Sequence, residues 1–255
     1  GYNLILIPAD CTTLALVDMN GRPVHQWQIG SRDANAKDSI QRARLQPDGN
    51  MLVLRGEYES AAVYIEEYTW DGELAFQYLP QGFLHAHHDV EKTADGNWLA
   101  IVAEDVPVDV RSRAKEPERR EKLIADVLME ISPDKQVVWE WHQYEHLDID
   151  RRVKVPANPN WWAGPTNNTL VDWTHTNTIQ ALPENRWYDA GDERFKPGNI
   201  LFSMRALDTI MIVDRDAKQV VWEYSGDYNG GMSGQHDSHM VEKGLPGAGN
   251  IIIFD

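Results

Sequence analysis

Apolar and polar residues alternate along most of the chain in short runs, each bounded by Gly, Asn, Asp or Pro. Period-two alternation predicts half-buried β-strands, because successive side chains point to opposite faces of a sheet. Two kinds of segment recur in turn. The first is a turn followed by a strand ending in an aromatic: "VDMNGRPVHQW" (17–27), "YTWDGELAFQY" (68–78), "ISPDKQVVWEW" (131–141) and "VDRDAKQVVWEY" (213–224). Asn20-Gly21 and Asp71-Gly72 are dipeptides favoured in two-residue hairpins, where both central residues take positive φ. The second is a strand, a turn ending in Gly-Asn and another strand: "ARLQPDGNMLVL", "VEKTADGNWLAI", "ALPENRWYDAGDERFKPGNILF" and "GLPGAGNIIIF".

Together the two forms predict four-stranded antiparallel units repeated along the chain, the mark of an all-β fold of the β-propeller type. A large β-sandwich is the alternative. Three units are complete, at roughly 43–78, 86–141 and 174–224, flanked by an N-terminal half unit and an opening fourth. Residues 1–255 therefore form a single expected domain. A closed ring would need further strands, so the chain is expected to continue past Asp255 or to be completed by another segment. Helix is confined to "RSRAKEPERREKLIADVL" (111–128), where Pro117 interrupts the pattern, and a charged, solvated insertion within one unit is expected there. Residues 143–173 have no sustained period and are expected to form a long loop between units, covering a site with Trp161, Trp162 and Trp173.

Charge narrows the partners. With 24 basic against 40 acidic residues the formal charge is -16, which disfavours a phosphate backbone as ligand. Nucleic acid is therefore not an expected partner. The apolar runs are too short for a membrane helix, so no membrane insertion is expected, and the start at Gly1 suits a mature or trimmed chain. A homo-oligomer is compatible with all of this. Cys11 is the single cysteine, which rules out an intrachain disulfide and an all-cysteine metal site and is expected to be a buried structural residue.

The chemistry lies in the histidines. Three predicted inner strands are preceded by one: "HAHHDVEKTADGN", "DWTHTNTIQALP" and "GQHDSHMVEKGLP". First strands of propeller units line a common channel, so His87 or His88, His175 and His236 should converge although they are far apart in sequence. Arg205, at the end of "NILFSMR", should return antiparallel to the end where His175 begins. Alternation sends His87 and His88 to opposite faces; strand parity favours His87, and the choice stays open. Asp89, Asn177 and Asp237 are either groups that orient imidazoles or turn residues that satisfy backbone. Imidazoles and a guanidinium together suit a sulfate or phosphate group, and a neutral imidazole is a competent nucleophile toward sulfur or phosphorus.

At these positions the chain resembles the arylsulfate sulfotransferases, the bacterial aryl sulfotransferases that use no nucleotide sulfate donor. The motifs are "DMNGRPVHQW", "HHDVEKTADGN", "VVWEWHQYEHL", "DWTHTNTI" leading to "SMR", and "GQHDSHMVEKGLPGAGNIIIFD". The resemblance implies a six-bladed propeller, of which this chain covers part, exported to the periplasm or secreted. It implies sulfuryl transfer from a phenolic sulfate donor to a phenol acceptor by a ping-pong sulfohistidine mechanism with no cofactor and no metal. His236 matches the nucleophile, His175 and Arg205 match the residues that hold the sulfuryl oxygens, and His87 or His88 is the remaining catalytic match. Asn177, Trp173 and Trp162 are candidate substrate contacts, with Trp161 and Tyr188 as further ring-stacking walls. Met204 before the arginine and the insertion "ENRWYDAGDERFKPG" depart from the pattern and bear on pocket shape. A non-catalytic binding or surface-assembly propeller, and a metal- or quinone-dependent enzyme, are the competing function classes. The quinone reading is weakened because one cysteine cannot form the adjacent-cysteine disulfide many quinoproteins carry.

Overall fold

A computed structural model describes residues 1–7, 12–30, 39–57, 62–151, 171–226 and 231–255. The strands form consecutive antiparallel meanders. In chain order these are β1 (Tyr2–Leu6), β2 (Thr13–Asp18) and β3 (Pro23–Gln28), followed by β4 (Ser39–Leu45), β5 (Met51–Glu57), β6 (Ala62–Tyr68) and β7 (Leu74–Tyr78). The next sheet contains β8 (His85–Lys92), β9 (Trp98–Asp105), β10 (Leu123–Ile131) and β11 (Val137–His142), with the short β12 (Val171–Asp172) parallel to β10. Then come β13 (Thr176–Ala181), β14 (Ile200–Met204), β15 (Thr209–Asp214) and β16 (Gln219–Tyr224), and the pair β17 (His236–Met240) and β18 (Ile251–Phe254). The three complete sequence repeats coincide with the three complete meanders.

Successive sheets pack face to face, and one apolar cluster fills each gap. Leu52, Ile65, Phe76, Val102 and Met129 pack between the β4–β7 and β8–β11 sheets. Ile101, Leu128, Trp141, Ile179 and Phe202 pack between β8–β11 and β13–β16, and Leu201, Ile212 and Met240 join β13–β16 to β17–β18. Each fully buried side chain of this size contributes about 1.5–3 kcal/mol. The first strands β4, β8, β13 and β17 are neighbours in series. They all run the same way, so their starts lie at one end of the stack and their turns at the other.

The turn end is bolted between sheets by the Asn of the Gly-Asn repeat. Asn50 donates to Glu67 at 2.7 Å, and Lys92 of the next sheet donates to the same carboxylate at 2.6 Å. Asn97 repeats this with Glu130 at 2.7 Å, where the cation is Arg215 of the following sheet at 2.5 Å. The two carboxylates are buried but paired and hydrogen-bonded, which is the condition under which burial is tolerated.

Several expectations are corrected. Residues 123–128 belong to strand β10; only one-turn helices at Val108–Arg111 and Pro117–Glu121 occupy the helix-like stretch, Pro117 sitting at the helix start where its missing N–H costs nothing. In the Asn20-Gly21 and Asp71-Gly72 turns only the glycine has positive φ. Gly21 donates to the Asp18 carbonyl and Gly72 to that of Thr69, so each glycine is the bulge residue that closes a four-residue turn as its last member, one place later than in a two-residue hairpin. The 143–173 segment opens with a helical turn at Gln143–His146 and closes with β12, and Trp161 and Trp162 lie outside the described residues, as does Cys11. Among the described residues no helix is long and apolar enough to cross a membrane.

Candidate active site

The starts of β8, β13 and β17 are irregular in the same way. Register shifts fall between Ala86 and Val90, between Thr176 and Thr178, and between His236 and His239. A residue other than glycine at positive φ lies inside two of these bulges and directly before the third: His88 at 60° and Asp237 at 51° within theirs, and His175 at 45° just ahead of the Thr176–Thr178 shift. That conformation costs roughly 1–2 kcal/mol per residue, and bulges of this kind re-aim side chains beside functional sites.

The bulge settles the relation of His87 to His88. A regular strand would place them on opposite faces, but here their Nδ1 atoms are 2.6 Å apart. His87 is 4 % exposed and its Nε2 meets Asp126 Oδ1 at 2.9 Å. His88 stands forward, its ring centroid 4.8 Å from that of His175. Strand parity favoured His87 as the residue facing the site, whereas the structure brings His88 there and sets His87 behind it, because the bulge breaks the parity.

Asp126, on β10, is the hub of the layer beneath. It is 1 % exposed and accepts from His87, from the Thr174 hydroxyl at 3.0 Å and from the Thr176 N–H at 2.6 Å. Burial opposes its ionisation, but His87 and the Thr176 donors outweigh this and hold it well below the ordinary carboxylate range. Burial likewise opposes charge on His87, and Asp126, with a smaller push from Asp172, raises its pKa all the same. His88 goes the other way, to about 3, through burial and the neighbouring His87 and His175. The two shifts favour the charged form at His87 and the neutral form at His88, the arrangement in which His87 Nδ1 is the donor across the 2.6 Å contact.

His175 meets Asp172 Oδ2 through Nδ1 at 2.5 Å. Its backbone carbonyl accepts from the Arg205 N–H at 3.1 Å, so these two residues, separated by an insertion in sequence, are adjacent in space. The insertion leaves β13 at the turn end, where Trp187 donates to the Gly249 carbonyl at 2.6 Å; it does not reach the histidines, and Tyr188 goes with it.

His236 is positioned by its neighbour Gln235. That side chain is fully buried, with its amide nitrogen 3.0 Å from Ser203 Oγ, 3.2 Å from the Met204 carbonyl and 3.3 Å from that of Thr209. Asn177 donates to the Gln235 carbonyl at 2.7 Å, which ties β13 to β17. Burial, then the Arg205 charge, then His175 push the His236 pKa down, against a backbone contact with Gly234. At neutral pH its imidazole is uncharged.

His88, His175, Arg205 and His236 are thus brought together. Trp173 is not: it is 2 % exposed among Leu123, Trp141 and Phe202, and its indole N–H donates to the Arg151 carbonyl at 3.2 Å, so its ring packs the core where a stacking wall was expected. Trp162 lies outside the described residues. Asp89 accepts from Arg42 and Arg44, and Asp237 from Arg42, each at 3.1 Å; they tie inner strands together without orienting an imidazole. Asp126 and Asp172 do that, and neither was picked out in sequence. The signal for Asp126 was a lone carboxylate inside the apolar run "LIADVL", and for Asp172 its place three residues before His175. Among the described residues no group of three or more His, Cys, Asp and Glu is arranged to hold a metal ion.

An all-β protein that gathers one guanidinium and two imidazoles around a third, neutral histidine has the chemistry of a site for a tetrahedral oxyanion. The chain belongs to the arylsulfotransferase (ASST) family, whose model matches residues 9–238. A search of curated proteins returns no match. Among solved structures, a protein of unknown function from Bacteroides caccae is 14 % identical, aligned over 96 % of this chain and 65 % of that one with a TM-score of 0.50. The chain thus spans less than two thirds of that relative in fold. Kuenenia stuttgartiensis hydrazine synthase aligns over 82 % of this chain and 48 % of its own, at 10 % identity and a TM-score of 0.47.

Proposed function

We propose that the protein moves a sulfuryl group from a phenolic sulfate ester to a phenol by a ping-pong route through a sulfated His236, on sheets that serve as blades of a β-propeller. The observation that carries this is the convergence of His88, His175, Arg205 and an uncharged His236 in a chain of the arylsulfotransferase family. The serial stacking of four-stranded meanders with adjacent first strands supports the propeller part. Export to the periplasm or beyond belongs to the same proposal and rests on family membership alone.

An imidazole nitrogen of His236 attacks sulfur in line, the N–S bond forms and the S–O(aryl) bond breaks. Arg205 and His175 face the sulfuryl oxygens, where oriented donors stabilise charge as the transition state develops. The departing phenolate has a conjugate acid of pKa about 10 by analogy with tyrosine, so it leaves and later attacks as an acceptor far more readily than an alkoxide. Depression of the His236 pKa keeps the nucleophile unprotonated below the usual imidazole range; activity should fall only at lower pH, as that ring protonates. The test is intact mass after mixing with 4-nitrophenyl sulfate and no acceptor. The protein should gain one sulfuryl group, and His236→Ala should gain none; undiminished labelling of that variant refutes the assignment.

A further inference from the structure

We propose that Asp126, His87 and His88 form a proton relay in which the proton received by the leaving phenolate is stored on His87 and delivered through His88. This rests on the sulfotransferase reading and adds to it two positioning residues, Asp126 and His87, that act only through His88.

The geometry carries the inference. The chain of contacts runs from Asp126 Oδ1 to His87 Nε2 at 2.9 Å, then from His87 Nδ1 to His88 Nδ1 at 2.6 Å. Its inner terminus is fixed, since Asp126 is also held by Thr174 and Thr176 and cannot swing away. Its outer terminus, His88 Nε2–H, is on the ring that stands beside His175. The strained backbone at His88 is what puts the two Nδ1 atoms face to face, and a regular strand would separate them.

The step balances. As the S–O(aryl) bond breaks, the phenolate oxygen takes the proton from His88 Nε2. His88 Nδ1 takes the proton of His87 Nδ1, and His87 is left neutral with its Nε2–H on Asp126. In the second half-reaction the acceptor phenol returns a proton to His88 Nε2 and the relay resets. A lone neutral His88 could not serve, because losing its only N–H proton would leave an imidazolate. The charged and titratable groups facing His87 are Asp126 from β10, Asp172 from β12, His85 and His88 from β8 itself, and His175 ahead of β13. The two carboxylates favour the stored proton and the imidazoles oppose a second one.

The experiment measures the single-turnover rate of His236 sulfation with 4-nitrophenyl sulfate, whose leaving group needs no proton, and with phenyl sulfate, whose leaving group does. General acid assistance is typically worth 10²–10⁴-fold, so Asp126→Asn and His87→Gln should each lower the phenyl-to-nitrophenyl rate ratio by about 100-fold or more. An equal loss with both donors makes the pair structural and overturns the relay alone. No sulfation of wild type by either donor overturns the sulfotransferase reading and the relay with it. Should both variants fail to fold, 15N NMR of histidine-labelled wild type decides. His87 protonated on both nitrogens and His88 on Nε2 alone at neutral pH supports the relay, and any other pattern removes it.

Discussion

The two ends of the strand stack handle the same two difficulties, positive φ and buried charge, in different ways. At the turn end the positive-φ position after each repeated turn is a glycine in most cases, Gly49, Gly72 and Gly96 among them. At the other end it is His88, His175 and Asp237, where the strain has no glycine to relieve it. Strand β10 shows the second contrast within itself. Glu130, near the turns, is paired with the guanidinium of Arg215, a permanent cation; Asp126, four residues earlier on the same face, is paired with an imidazole. One carboxylate fastens neighbouring sheets and the other holds a group able to gain or lose a proton near neutrality. Among the described residues, strained backbone and imidazoles coincide at the histidine end, whereas the strained side chains of the turn end are the lysines Lys135 and Lys218, which argues that the first end is built for chemistry and the other for cohesion.

Removing one partner at each end should separate these roles. Arg205→Ala or His175→Ala takes away an oxyanion donor and should slow both half-reactions by on the order of 100-fold or more. Arg215→Ala leaves Glu130 fully buried with Asn97 as its remaining partner, and breaking such a pair typically costs about 3–5 kcal/mol. Denaturant midpoints should show that loss, while turnover per folded molecule stays at the wild-type value. If Arg215→Ala instead lowers turnover of the folded fraction, the division between the ends is wrong.

Much of this division was legible in the chain. The Gly-Asn turns and aromatic-ended strands marked all three complete sheets, because turn chemistry and period-two alternation are local properties. Convergence of His175, Arg205 and His236 was likewise readable once the strands were ordered. What escaped were features set by neighbours in space. A bulge at Ala86–Val90 is a tertiary device that no alternation announces, so parity pointed to His87 where His88 faces the site. Asp126 lay hidden because the charged stretch before it read as helix running on to residue 128, although "LIADVLMEI" is a strand whose polar residues meet partners on β8, on β13 and just after β15. Trp173 looked like a substrate wall because an aromatic in an aperiodic segment carries no sign of which way it faces.

Acid should act mainly on the histidine end. Burial and neighbouring imidazoles lower His85 to about 4 and His88 to about 3, below the unfolded value of about 6.5. Between those limits the unfolded chain binds protons that the folded one does not, so stability should fall as pH drops from 6.5 toward 3. His87 has the opposite sign: its raised pKa gives stability that is complete below 6.5 and lost as pH rises through its folded value. Urea midpoints at stepped pH should show the acid slope, and His85→Gln should reduce it by up to one proton, about 1.4 kcal/mol per pH unit. An unchanged slope would mean that His85 titrates freely in the folded protein.

The smallest effect probes the turn end. Lys135 occupies, in the β10–β11 turn, the place that Gly96 holds in the β8–β9 turn: it donates to the Ser132 carbonyl as Gly96 does to that of Thr93, and its φ is 64°. A side chain there costs about 1–2 kcal/mol. Against this, the Lys135 ammonium lies 5.8 Å from the Phe76 ring centroid, a contact worth roughly 0.5–1 kcal/mol at an exposed site. The balance favours glycine, so Lys135→Gly should stabilise the protein by about 0.5–1 kcal/mol, a rise in Tm of about 1–4 °C. Glycine at His175 relieves the same strain but deletes the imidazole, and should abolish most turnover whatever it does to Tm. If Lys135→Gly lowers Tm, the cation over Phe76 outweighs the backbone cost, and positive φ at the turn end is held in place by a side chain as it is among the histidines.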